Sequence, residues 1–154
     1  MTTPAERLAG LGLALPPVAA PVAAYVPAVR SGDFVYTSGQ LPTVDGKLPA
    51  AGKVGDEVSA TDAAGLARTC ALNALAAAAS AAGGLDQIRR IVKVTGFVAS
   101  APGFSGQPQV INGASELFIE VFGEDGKHAR SAVGVAELPL NAPVEVELIA
   151  EVRG

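Results

Sequence analysis

Residues 143–152, PVEVELIAEV, alternate between two faces. Val144, Val146, Leu148, Ala150 and Val152 point one way, and Glu145, Glu147, Ile149 and Glu151 the other, which predicts a strand with one buried side. The period changes over residues 60–82. There Leu66, Cys70, Ala74, Ala77 and Ala81 recur at helical spacing, Thr61 or Ser59 can cap the start, and Gly83-Gly84 stops the helix. A second helix is predicted over 108–122, with Pro108 in its first turn and an apolar stripe of Ile111, Ala114, Phe118, Val121 and Phe122. Residues 88–98 and 129–137 read as strands, and residues 34–38, FVYTS, as a β-branched and aromatic strand. Residues 25–30 form a short strand that Pro27 would confine to a sheet edge. Ahead of it, residues 4–11 can make one or two helical turns, and 16–24, PPVAAPVAA, form an extended arm. Residues 43–58 hold Asp45-Gly46, Gly52 and Gly55 and read as a loop or a loose hairpin.

The order is strand, strand, helix, strand, helix, strand, strand. This predicts an α+β (mixed α/β) fold, one mixed sheet with two helices packed on one face. No linker or repeat divides the chain, so residues 1–154 read as one domain, with 1–24 as an N-terminal helix and arm.

Composition sharpens this in one respect. Hydrophobic residues are 49% and charged residues 17%, yet aromatics are only 5%, with no Trp. Ala and Val must supply a tight core, or apolar surface must be buried against other copies. The net charge of −4 and the lack of a basic stripe argue against nucleic acid as a partner. Cys70 is the single cysteine and reads as a buried small hydrophobe, and the lone His128 cannot build a multi-histidine metal site. Neither a signal-like segment nor a membrane-spanning stretch is visible, so a cytoplasmic location is expected.

Four small constellations carry possible chemistry. Tyr36-Thr37-Ser38-Gly39-Gln40 ends a strand, and Gly39 allows close backbone approach, although a plain strand terminator has the same look. Asn112-Gly113 places two poor helix formers inside a helix, for a ligand or for tight packing on the sheet. Arg130 can offer a planar fork to a carboxylate, or make an ordinary salt bridge. Glu145 can hold a water for addition to a carbon–nitrogen double bond, or belong to a solvated strand face.

Read together, Y-T-S-G-Q-L-P (36–42), K-V-T-G-F-V (93–98), N-G-A-S-E-L-F (112–118), A-R-S-A-V-G-V-A-E-L-P (129–139) and V-E-V-E-L-I-A (144–150) resemble the RidA (YjgF-like, formerly L-PSP endoribonuclease) family. The resemblance spans about Tyr25 to Val152 and implies a chorismate-mutase-like fold and a homotrimer with three clefts between subunits. It also implies hydrolysis of reactive enamines and imines, such as 2-aminoacrylate or 2-imino acids, to 2-keto acids and ammonia, without a cofactor. By the same resemblance, Arg130 pairs with the substrate carboxylate and Glu145 positions the attacking water. Tyr25, Ser38, Gly39, Asn112 and Ser131 would line the site. The chain departs from the family in carrying Ala132 where many members have Cys, and in its longer arm and 43–60 loop. A non-catalytic trimer that binds a small carboxylate, and an endoribonuclease, are the alternative roles.

Overall fold

The computed structural model describes residues 2–21 and 23–154. A short helix, α1 (Pro4–Gly10), begins with a capping box in which Thr3 accepts from the Glu6 amide and Glu6 reaches back. An irregular arm follows. The sheet then takes β1 (Ala28–Ser31), β2 (Phe34–Thr37), β3 (Ile88–Ala99), β4 (Ala129–Val135) and β5 (Val144–Val152). Two long helices, α2 (Ala60–Ala82) and α3 (Gln107–Phe122), lie between β2 and β4 in the chain.

The strand order is β1-β2-β5-β3-β4. Strand β4 runs parallel to β3 through the α3 crossover, and the other pairings are antiparallel. The sheet is therefore mixed, as the element order requires, and both helices cover one face. Strand β1 is an edge strand that starts three residues later than expected. Pro27 has no N–H to give a ladder, so pairing begins at Ala28 opposite Thr37.

The core is an alanine and valine layer between helices and sheet. All five inward residues of β5 are buried, as are all five stripe residues of α3. The α2 stripe is a correction. Of the expected stripe, Cys70, Ala74 and Ala77 are buried but Leu66 and Ala81 are only half-buried, while Ala63, Ala67, Ala71 and Ala78 also belong to the buried face. With so many alanines, apolar spacing alone does not orient the helix; contact with α3 does. A Cβ at Gly113 would collide with the Ala64 carbonyl oxygen, so α3 lies against the α2 backbone. Gly113 thus serves helix–helix packing, where packing on the sheet was expected. Ser59, one of the two expected caps, accepts from the Asp62 amide, and Gly83 ends α2 with a φ of 89°.

Among the described residues no helix covers the other sheet face. Val29, Tyr36 and Val133 on it are 52%, 45% and 43% exposed. Among the described residues no helix is long and apolar enough to cross a membrane.

Candidate functional site

Strand register decides where the candidate side chains go. Val94 pairs with both Arg130 on β4 and Leu148 on β5, so Arg130 emerges on the helix side with these buried residues. Phe97 pairs with Glu145, which alternates onto the other side of β5. Arg130 and Glu145 are thus two strands apart, three rows apart along β3 and on opposite faces. Within one chain they cannot grip the same small molecule.

Arg130 anchors the first group. Its Nη1 donates to Asn112 Oδ1 at 2.8 Å and to Ser115 Oγ at 3.2 Å, and Nη2 donates to the Pro108 carbonyl at 3.4 Å. Three acceptors on α3 fix the guanidinium at the edge of the sheet. A guanidinium has five N–H donors in a rigid fork, so donors remain for a carboxylate. Behind it, Ser115 Oγ meets His128 Nε2 at 2.9 Å, and His128 Nδ1 meets the Gly126 carbonyl at 2.6 Å. The carbonyl can only accept, so Nδ1 carries the proton, Nε2 accepts from Ser115, and Ser115 in turn accepts from Arg130. Burial holds the His128 pKa below its ordinary value, and the nearby Arg130 charge acts the same way against the pull of the Gly126 carbonyl. Ser115 and His128 were not among the expected site residues. The signal available was a lone polar residue on the apolar side of α3, four residues after Ile111 and three before Phe118.

The second group surrounds Glu145. Its carboxylate leans over Gly39, where a Cβ would stand 2.7 Å from Glu145 Cδ. Gly39 is thus required for close approach, although its φ is unremarkable. Glu145 has a raised pKa, chiefly from burial and then from the charge of Glu147. Glu147 is raised as well, by burial. Glu145, Gly39 and Tyr25 line a cavity of about 590 Å³ together with the arm, the 39–46 loop and Thr69, Leu72 and Asn73 of α2. Arg130 and Asn112 are not in its walls.

The other expected residues divide. Ser38 does not line the cavity; its hydroxyl donates to the Val26 carbonyl at 2.6 Å and so holds the segment that carries Tyr25. Ser131 is exposed opposite Thr95, on the same open face as Glu147, and not beside the Arg130 head group. Cys70 is buried with its Sγ 3.7 Å from the Val144 carbonyl, and burial pushes its thiol pKa well up, which removes it as a nucleophile. Among the described residues no cluster of His, Cys, Asp and Glu could hold a metal ion.

The chain therefore carries two separate candidate groups, a fixed guanidinium and a half-buried carboxylate beside a cavity. Comparison with known proteins gives the same pattern a context. A family model described as "YjgF/chorismate_mutase-like, putative endoribonuclease" matches residues 5–152. Protein TCP17 of Trypanosoma cruzi is 45% identical over 150 residues, which is 97% of this chain and 94% of that protein. A 2-iminobutanoate/2-iminopropanoate deaminase of Salmonella typhimurium is 37% identical over 131 residues, 85% of this chain and 89% of that one. Among solved structures, protein Atu1372 of Agrobacterium tumefaciens superposes with a TM-score of 0.89 at 48% identity, covering 97% of this chain and 92% of that chain.

Proposed function

The chain belongs to the RidA/YjgF family, and from that premise we propose that it is a deaminase of 2-imino acids, working at clefts between subunits of a homotrimer. The observation that carries this reading is Glu145, a carboxylate with a raised pKa at the floor of a cavity, held against a glycine. A carboxylate whose pKa is shifted toward neutrality is a better proton acceptor and donor at working pH.

The reaction needs no strong nucleophile, because an imine carbon is already electrophilic. Glu145 takes a proton from water as the water oxygen bonds to the imine carbon, and the carbon–nitrogen π pair moves to nitrogen. The protonated carboxyl returns that proton to nitrogen. The Glu145 carboxylate then takes the hydroxyl proton of this carbinolamine and passes it to nitrogen as the carbon–nitrogen bond breaks, so the bond's electron pair leaves with ammonia and the carbon oxygen becomes the ketone of a 2-keto acid. Arg130 clamps the substrate carboxylate, so the imine carbon sits where the water is held. Asn112 fixes Arg130, and Tyr25 and Gly39 shape the wall. Ser131, on the open face, would meet the ligand only across a subunit boundary.

Since Arg130 and Glu145 diverge in one chain, the reading requires that a second copy bring its Arg130 to this Glu145. The uncovered sheet face with Val29, Tyr36 and Val133 supplies an apolar surface for that contact. The endoribonuclease in the family description finds little support here. The net charge is −4, and a phosphate backbone needs a cationic track.

The test generates 2-iminopropanoate and 2-iminobutanoate with an amino-acid oxidase in the presence of semicarbazide, and follows the semicarbazone. Wild-type protein should suppress the adduct, and Arg130→Ala and Glu145→Gln should not. Tight binding of 2-ketobutyrate without turnover would instead make the protein a carboxylate-binding regulator.

A further inference from the structure

We propose that the cavity beside Glu145 is a side-chain pocket that selects 2-imino acids with bulky apolar side chains, branched or aromatic, over those of three or four carbons. This rests on the deaminase reading and goes beyond it by naming the substrate class.

Size is the first reason. A three- or four-carbon imino acid has about six or seven heavy atoms and, at roughly the 30 Å³ a water takes, fills at most about 200 Å³. The cavity holds about 590 Å³, within the range of ~300–1,000 Å³ typical of sites for larger organic ligands. A small substrate at Glu145 would leave most of it as water against apolar walls.

Wall chemistry is the second. Pro16, Pro17 and Val18 of the arm line the cavity together with Val44, Leu72 and Leu140. Two amide side chains in its walls are already committed. Asn73 Nδ2 donates to the carbonyls of Leu41 and Thr43, at 2.9 and 3.0 Å, and Gln40 Nε2 donates to the Ser38 carbonyl at 3.3 Å. The charged groups lining the cavity, Asp45 and Glu145, are both acidic, so an anionic side chain is repelled.

Position is the third. The pocket opens directly from Glu145 and Gly39, while the carboxylate clamp lies elsewhere. A substrate whose carboxylate is held by Arg130 from a second copy, with its imine carbon over Glu145, can extend its third substituent toward the arm.

The experiment compares kcat/KM for imino acids made by an amino-acid oxidase from alanine, leucine, phenylalanine and glutamate. The leucine and phenylalanine products should exceed the alanine product by about 10-fold or more, since each methylene placed in an apolar pocket contributes on the order of 10-fold. The glutamate product should be the poorest. Thr69→Phe, on the outer face of α2, should lower the ratio of phenylalanine to alanine product by about 10-fold. Val18→Asp, on the exposed arm, should lower the same ratio. Equal or better activity on the alanine product, with ratios unmoved by both variants, would overturn the pocket and leave the deaminase standing. No turnover of any of the four would remove the deaminase reading itself.

Discussion

One buried hydroxyl joins the histidine of this chain to Arg130: Ser115 Oγ lies 2.9 Å from His128 Nε2 and accepts from Arg130 Nη1 at 3.2 Å. The chain of donors and acceptors closes only while His128 is neutral. Protonation at Nε2 would give Ser115 two donors and bring a second cation up to the guanidinium.

This makes His128 a source of pH-dependent stability. Its folded pKa lies below the ordinary 6.5, so the unfolded chain takes up the proton first as pH falls. The stability that neutral His128 contributes is fully present above 6.5 and is lost as pH drops through the folded value. Urea unfolding at pH 7.5, 6.5 and 5.5 should show wild type losing stability relative to His128→Phe over that range. Parallel pH curves for the two proteins would remove the linkage.

Glu145 carries the opposite sign. Its pKa is raised from the ordinary 4.5, so the folded state favours the protonated form. The associated stability is present below 4.5 and is lost as pH rises through the folded value. Glu145→Gln, which mimics the protonated carboxyl, should match wild type below pH 4.5 and become the more stable protein at neutral pH. Its deaminase activity should fall by about 10²–10⁴-fold, the usual contribution of a positioned general base. Thermal melts and the semicarbazone assay read the two effects separately.

Gly39→Ala should act on the same carboxylate from the backbone side. The added methyl would press on Glu145 Cδ, which a flexible side chain can relieve by moving aside. Activity should drop by about 10²-fold, the scale of a misplaced catalytic group, with circular dichroism and melting temperature close to wild type. A melting temperature that falls while specific activity holds would show that Gly39 serves folding alone.

Arg130 and Glu145 on opposite faces make a test of the shared cleft. Arg130→Ala and Glu145→Gln proteins, each inactive alone, should regain about a quarter of wild-type activity after co-refolding at equal amounts. In randomly mixed closed rings, about one interface in four pairs an intact arginine with an intact glutamate. Gel filtration should show the trimer throughout. No regained activity in mixed trimers would mean that each chain builds its own site.

Gly113→Ala probes the helix crossing. Its methyl has no space against the Ala64 carbonyl, which belongs to backbone and cannot swing away. Overpacking of this kind destabilises by about 1–3 kcal/mol, and urea denaturation should fall at or above the upper end. Asn112→Ala, one residue earlier, should affect substrate affinity far more than stability, because the Asn112 side chain is exposed and holds Arg130.

The long elements were legible because their signals are local. Strict alternation in 143–152 and helical spacing in 108–122 each reflect one element burying one face, and the observed β5 and α3 follow them closely. In α2 about half of the positions are alanine, so apolar spacing found the buried Cys70, Ala74 and Ala77 but also took in the half-buried Leu66 and Ala81; the backbone contact at Gly113 shows where α3 lies. Motif order also brought out Arg130, Glu145, Asn112 and Gly39 as candidates. It did not reveal Ser115 and His128, because a single serine on an apolar stripe and a single histidine before a strand have no periodic signature.

The amino-acid sequence by itself determined which segments are helix and strand, the mixed sheet with one covered face, and candidates for the chemistry. Only the tertiary structure decided how these residues combine. Alternation along a strand sets which side chains share a face within that strand. It takes the pairing of β4 and β5 on the two sides of β3 to show that Arg130 and Glu145 diverge. The arm likewise becomes a cavity wall only once it is laid against α2 and the 39–46 loop. Both are long-range contacts, and local periodicity holds no information about them.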